Sequence, residues 1–559
     1  MNERALQDAN ALLTRGRRRE ALARYETYLA ANPSSAEAWH NRGVALSQMK
    51  RYEEALPCFA KALELRPDSA QSWSNRASAL IELERHAEAA ADYERALALD
   101  PDAPFARGYC VLAKLWCCDW NGLDEQKARI AQGLRAGLPV IQPFGNLLIA
   151  ADPEGQFASA RIWTARHAGP RPAPLWRGER YDHARIRVAY LSGDFREHAV
   201  SMLAVGLFER HDRARFETVG VSFGPDDKSA LRARVAARFE HFIDAREMSD
   251  FAVASRLREM EVDIAVDLMG LTGHDRGGIL RHRPAPVQVN YLGFPASMAA
   301  EEMDYILADR TVLPEAERSY YSEQAVYLPD TYMPCDAKRE IAEPTPSRAA
   351  VGLPDKGFVF CSFNNAYKFS PEMFDVWMRI LKAVEGAVLW LPDPGEISRR
   401  NLAREAEASG VSGARLVFAP KIPSNADHLA RLRLADLFLD TLPCNAHTTA
   451  SDALWAGVPV LTTQGTTFAG RVAASLLKAV DLPETIAPSL AAYETMAVGL
   501  ARDPAALASL KAKLAVHRKT KPLFDTARFT RHLEAAFATM RERARSGLPP
   551  QGFAVEPLP

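Results

Sequence analysis

Residues 36–69 align with residues 70–103 without a gap, and 14 of the 34 positions are identical. The matches include Trp39/Trp73, Asn41/Asn75, Leu46/Leu80, Ala55/Ala89, Ala62/Ala96 and Pro67/Pro101, while Ala21, Tyr25, Leu29 and Pro33 keep the same phase one period earlier. A unit this short cannot close a core of its own; it buries its apolar face only against its neighbours. Small Ala at the crossings and Pro after the second segment predict helical hairpins stacked side by side. That period therefore rules out a conventional single-core fold for the first quarter of the chain.

The spacing resembles the tetratricopeptide repeat. Residues 104–150, with Phe105, Tyr109, Leu112, Leu115 and Trp116, read as a degenerate continuation that seals the stack, so residues 1–150 form one array. On its own such an array is an adaptor or a spacer, and Trp39 and Trp73 are packing residues.

After a linker (residues 151–180) that ends in the Pro- and Arg-rich stretch Gly169–Arg180 the rhythm changes. Short β-rich runs alternate with helical stretches: Ile186–Leu191, Thr218–Ser222, Asp263–Leu268, Val287–Tyr291 and Tyr305–Ala308, then Phe358–Phe363, Ala387–Leu391, Arg415–Phe418, Leu437–Asp440 and Pro459–Thr462. Strand–helix alternation predicts parallel sheets covered on both faces. The fold class is an all-α solenoid followed by an α/β region of two Rossmann-like halves, residues 181–345 and 346–545, with 546–559 as a tail.

Composition narrows the function. Charge sums to −1 from 69 Lys+Arg and 70 Asp+Glu, which excludes a broadly basic nucleic-acid binder. Hydrophobic residues at 48% exclude pervasive disorder. Seven cysteines without paired zinc spacing read as reduced thiols of a cytoplasmic protein. The first residues lack the apolar core of a secretory signal, and no apolar run is long enough to span a bilayer. No GxGxxG follows the first strand, and neither GxxxxGK[ST] nor HExxH occurs, so dehydrogenase, P-loop and zinc-protease readings have no support.

Ligands of such sheets bind beyond the carboxyl ends of the strands, and four strand–helix junctions there carry chemistry. In Ser192-Gly-Asp-Phe-Arg-Glu-His198, His198 can take or shuttle a proton, or simply bond backbone at a helix start. In Asn364-Asn365-Ala-Tyr367-Lys368, the Lys368 ammonium can neutralise a phosphate, or be an ordinary surface lysine. His428 and Arg431 share one helix face after Pro423-Ser-Asn425; a flat ring and a forked donor suit a planar heterocycle, and a solvated face is the alternative. Cys444-Asn-Ala-His447-Thr448-Thr449 leads into a helix whose free N–H groups and hydroxyls form an anion site. Asp452 is either a capping-box partner of Thr449 or an acceptor for sugar hydroxyls.

Taken in order, Leu191-SGDFRE-His198, His282-RPAPVQVNYLGF-Pro295, Asp304-YILA-Asp309, Cys361-SFNNAY-Lys368, Asp440-TLPCNAHTTASDALWAGVP-Val460 and Gly470-RVAASL-Leu477, preceded by the repeats, resemble the O-linked N-acetylglucosamine transferase family in a bacterial form. The resemblance implies a metal-independent, inverting GT-B glycosyltransferase with no cofactor, moving N-acetylglucosamine from UDP-GlcNAc to Ser or Thr of a protein or peptide held along the repeat groove, with neither nucleic acid nor membrane as partner. It implies that His447, Thr448 and Thr449 hold the diphosphate and Asp452 the ribose. His428 would stack on uracil with Arg431 nearby, and the backbone around Pro423 would read the base edge. Asn365 would touch the pyrophosphate, Lys368 would stabilise departing UDP, and His198 would serve as general base or acceptor-site element. Tyr367, Asn425 and Cys444 join the nucleotide-sugar set, and Gly293 and Pro295 line the sugar pocket. Relatives often carry Gln at 365 and Lys at 425. The alternatives are a GDP-fucose-dependent protein O-fucosyltransferase and a repeat adaptor with a vestigial transferase half.

Overall fold

A computed structural model describes residues 3–273 and 275–558. One compact unit comprises the chain up to Gly145 together with Pro394–Asn401. Its helices follow as antiparallel pairs: Glu3–Thr14 with Arg18–Ala31, Ala36–Gln48 with Tyr52–Leu65, Ala70–Glu82 with His86–Leu99, and Ala106–Trp116 with Leu123–Arg135. Ala38, Ala45, Ala55, Ala77, Ala89 and Ala96 are fully buried, as close helix crossings require. Gly43 obeys the same constraint, because a Cβ there would lie 2.7 Å from the Phe59 ring. The two tryptophans one period apart play one structural role: Trp39 Nε1 donates to the Pro33 carbonyl and Trp73 Nε1 to that of Pro67, each at 2.9 Å.

The second unit, Asn146–Asp393 with Leu402 onward, holds two parallel sheets. The strands of the first are β1 (Ile186–Ser192), β2 (Phe216–Ser222), β3 (His241–Asp244), β4 (Ile264–Asp267), β5 (Val287–Asn290), β6 (Tyr305–Ala308) and β7 (Gln324–Tyr327). Those of the second are β8 (Val359–Cys361), β9 (Val388–Pro392), β10 (Leu416–Ala419), β11 (Leu437–Leu439), β12 (Val460–Thr463) and β13 (Ile486–Ala487), and β14 (Phe553–Ala554) returns to the first sheet. The orders are β14-β7-β6-β5-β4-β1-β2-β3 and β10-β9-β8-β11-β12-β13. Central strands such as Ile264-Ala-Val-Asp267 are buried along their whole length, which explains why that strand is apolar up to its final residue.

Strands β3, β7, β13 and β14 go unrecognised in the sequence. Three of them lie at sheet edges, and none exceeds four residues. The chain's last segment is also placed differently from the expectation that 346–545 is one half and 546–559 a tail. The helix Thr526–Arg545 packs against the helix Ala199–Arg210 of the first half. Glu534 Oε1 accepts from Asp212 N at 2.8 Å and lies 3.0 Å from His211 Nδ1, while β14 pairs with β7 through Phe553↔Val326. The physical reason is apolar: Leu533, Ala536, Phe537 and Met540 are fully buried in the core around the first sheet. Among the described residues, no helix is long and apolar enough to cross a membrane.

Candidate active site

Each sheet changes direction of construction at one point, between β1 and β4 in the first and between β8 and β11 in the second. Connections leave such a point toward opposite faces and open a crevice at the carboxyl ends of the strands. Three of the four junctions singled out in the sequence emerge there.

In the second sheet, the loops after β8 and β11 are stitched together by one buried amide. Asn364 Nδ2 donates to Thr441 Oγ1 at 2.9 Å, and Asn364 Oδ1 accepts from Thr449 Oγ1 at 2.6 Å. Asp440 fixes the turn beneath: one oxygen accepts from Ala446 N and the other from Thr462 Oγ1, both at 2.6 Å. The helix Thr448–Ala456 then begins at His447 with no side-chain cap. Its first N–H groups stay available, at the positive end of the helix dipole. Lys368 reaches the same spot from the short 3-10 turn Ala366–Lys368, its Nζ donating to the Asn445 carbonyl at 2.6 Å. His447 Nε2 lies 3.2 Å from the Ala469 carbonyl, and burial together with the Lys368 charge pushes its pKa down to about 3. The imidazole is therefore neutral at pH 7, and the cationic contribution comes from Lys368.

Ser424 caps the next candidate helix, Asn425–Leu432, by accepting from Asp427 N. His428 sits edge-on to the Phe363 ring, with centroids 5.3 Å apart. Burial first, and then Arg431, lower its pKa to about 4, so this ring too is neutral. Arg431 Nε and Nη2 both reach His428 Nδ1, at 3.2 and 3.0 Å. With Nδ1 so occupied, the neutral ring carries its proton on Nε2. Asn425 Nδ2 lies 3.8 Å from Met202 Sδ, on the helix that His198 starts, which brings this helix of the second half to the mouth of the first.

In the first sheet, His198 is the N-cap of Ala199–Arg210, accepting weakly from Val200 N at 3.4 Å. Its Nδ1 also lies 3.4 Å from Asp194 Oδ2. Burial pulls the imidazole below its ordinary pKa, Asp194 opposes this and Arg196 adds to it. Gly293 is forced by close approach: a Cβ would lie 2.0 Å from the Leu268 carbonyl oxygen, so the loops after β4 and β5 touch backbone to backbone. Pro295, two residues further on, is buried.

Residues 173–343 and 337–533 match Glycosyl transferase family 41, and residues 36–69 and 70–103 match the tetratricopeptide repeat. The chain belongs to glycosyl transferase family 41. It is 35% identical over 470 residues to the probable UDP-N-acetylglucosamine–peptide N-acetylglucosaminyltransferase SEC of Arabidopsis thaliana, covering 80% of this chain and 48% of that protein. It is 28% identical to the UDP-N-acetylglucosamine–peptide N-acetylglucosaminyltransferase of Caenorhabditis elegans, over 77% of this chain and 48% of the relative. The chain thus spans about half the length of these curated relatives. Among solved structures it resembles a mutant of the Thermobaculum terrenum O-GlcNAc transferase, with a TM-score of 0.71, 27% identity and 98% of each chain covered. The two parallel α/β sheets that follow the helical repeats have the GT-B arrangement.

Against this family-41 site, several sequence expectations need correction. Arg431 does not offer its fork to a planar ligand: it is 4% exposed, and its donors go to His428 and the Pro420 carbonyl. Its work is to orient His428. Thr449 and Asp452 form no capping box, because Thr449 bonds Asn364 while Asp452 pairs with Arg339. Cys444 is buried, its thiol pushed up by burial against the opposing Lys368 charge, with Sγ 3.8 Å from the Asn445 carbonyl that Lys368 also bonds. His198 takes the backbone-capping position and the carboxylate-paired position at once. Asn365 is exposed and donates to the Tyr367 hydroxyl at 2.9 Å, and Pro423 and Thr448 stand at the surface or half-buried. Asn364, Asp440 and Arg339 were missed. Asn364 and Asp440 stand in the quoted motifs, and the signal available was a polar residue at the end of each apolar strand. Arg339 lies in the connector between the halves, where no local pattern marks it.

Proposed function

We propose that this family-41 chain is an inverting transferase that moves N-acetylglucosamine from UDP-GlcNAc to a Ser or Thr hydroxyl of a polypeptide. The observation that supports it best is the convergence of the Lys368 ammonium with an uncapped helix start at the switch point of the second sheet. In the reaction the acceptor oxygen forms a bond to sugar C1 as the bond from C1 to the diphosphate oxygen breaks. The electron pair leaves with UDP, and the hydroxyl proton passes to a base. Charge therefore grows on the diphosphate, where fixed donors are worth most. Lys368 and the first N–H groups of Thr448–Ala456 offset that charge, so the reading needs no divalent ion. His428 packs the base, and the repeats supply the surface for the polypeptide. The cysteines, all free and buried, suit a reducing compartment, and we place the reaction in the cytoplasm.

The test has two arms. UDP, but not GDP, is expected to raise the melting temperature, because a ligand that binds only the native state stabilises it by mass action. Incubation of a peptide library with UDP-GlcNAc in EDTA is expected to yield HexNAc-modified Ser or Thr by mass spectrometry. Stabilisation by GDP instead of UDP, or transfer strictly dependent on magnesium, would overturn the proposal.

A second expectation concerns His198. Because its pKa is held below the ordinary value, the ring is neutral at pH 7 and able to accept a proton. If it is the base, kcat/KM is level near neutrality and falls as acid protonates the ring. His198→Ala then loses both rate, by roughly 10²–10⁴-fold, and this acid limb. An unchanged limb in the variant would assign the limb to another group.

A further inference from the structure

The connector between the two halves carries a buried arginine that reaches the second turn of the anion-site helix. We propose that Arg339 is a positioning residue of the donor site, holding Asp452 so that its carboxylate can accept from the ribose hydroxyls of the nucleotide. This rests on the UDP-sugar reading above and adds to it a residue outside both sheets.

The geometry is specific. Arg339 Nη1 pairs with Asp452 Oδ1, and Nη2 donates to Ser451 Oγ at 3.0 Å. Nε donates to the Asp336 carbonyl at 3.2 Å. The Arg339 carbonyl in turn accepts from Trp455 Nε1 at 3.0 Å, so backbone and side chain of one residue grip the same helix face. Ser451 Oγ has a second neighbour in Cys335 Sγ at 3.2 Å, also from the connector. On the other side the Asp336 carboxylate pairs with Arg234 of the first half at 2.7 Å. The connector is thus fixed at both ends, and its position sets that of Arg339.

Asp452 is 5% exposed and fully engaged through one oxygen; Oδ2 accepts no hydrogen bond among the described residues. Burial raises the pKa of the Asp452 carboxyl above its ordinary value, and the Arg339 charge and hydrogen bond work against that rise. A bidentate-capable guanidinium does this with fixed direction, which a lysine matches only as a point charge. The consequence is a carboxyl group with one oxygen clamped from behind and the other left for a ligand, one turn below the N–H groups assigned to the diphosphate. A diphosphate and its attached ribose are neighbours in the same way.

The test compares UDP with 2′,3′-dideoxy-UDP by calorimetry, and donor KM with kcat, in wild type, Arg339→Met and Arg339→Lys. Arg339→Met is expected to weaken UDP roughly tenfold, the scale of hydrogen bonds to a charged group. Dideoxy-UDP is expected to bind wild type and Arg339→Met alike. Donor KM rises while kcat stays near wild type, the signature of lost uniform binding. Arg339→Lys restores part of the UDP affinity. Asp452→Asn removes the preference for UDP over its dideoxy analogue. Equal losses for both nucleotides, or none for either, would overturn the assignment and leave Arg339 a brace. Should Arg339→Met fail to fold, Arg339→Lys and Asp452→Asn measured on the same ligand pair decide the matter. If wild type binds no UDP, it is the donor reading that fails.

Discussion

Lys368→Ala is expected to lower turnover by roughly 10²–10³-fold, the cost of deleting one preorganised charge-stabilising donor. The ammonium sits within hydrogen-bond reach of Asn445, at the turn that launches the anion-site helix, and its neighbour His447 is uncharged at pH 7. Nothing else identified at this turn replaces the lost positive charge. The fold should persist, because Asn445 keeps its own side-chain bond to the Thr441 carbonyl at 2.8 Å. A steady-state assay beside a circular-dichroism melt separates the two quantities. Turnover near wild type would remove Lys368 from the chemistry, and loss of the melting transition would reveal a structural lysine.

Asp440→Ala should have the largest effect on stability, about 2–4 kcal/mol. The carboxylate is buried and satisfies two partners, the Ala446 N–H and the Thr462 hydroxyl; deletion leaves the first buried and unpaired and the second with only a long contact to the Thr463 carbonyl at 3.4 Å. Because Ala446 immediately precedes the uncapped helix start, the same change loosens the anion site, and weaker UDP binding should accompany the lower midpoint. Asp440→Asn keeps one acceptor and the shape, so a smaller loss of about 1–2 kcal/mol is expected. Urea unfolding at constant m-value measures both. A midpoint unchanged in Asp440→Ala would show that water replaces the carboxylate at no cost.

Much of the architecture was legible because it is written in local periodicity. The 34-residue repeat and the apolar runs Val188–Leu191 of β1, Ile264–Val266 of β4 and Val388–Leu391 of β9 each state what buries them. Short edge strands state much less: Ile486-Ala487 and Phe553-Ala554 become strands only because a neighbour offers them a ladder. The site divides along the same line. Lys368 and the His447–Thr449 start were readable from their junctions, since capping and strand ends are local facts. The partners of Arg431 and Asp452 were not, because they come from elsewhere in the chain: the Pro420 carbonyl for Arg431 and a guanidinium in the connector for Asp452. A side chain's chemistry is legible in sequence; whether its donors are already taken is not.

The return of Thr526–Arg545 and Phe553–Ala554 to the first sheet makes the second half an insertion within the first. On the ribosome, β1 and the helix Ala199–Arg210 emerge long before the helix that covers them. Phe537, whose ring centroid lies 6.4 Å from that of Tyr190 in β1, is among the last core residues to be synthesised. The inserted half can close as a unit while its host waits with apolar surface uncovered, a stage at which nascent chains aggregate or recruit chaperones. Truncations in the final helix should accordingly harm the half that is made first.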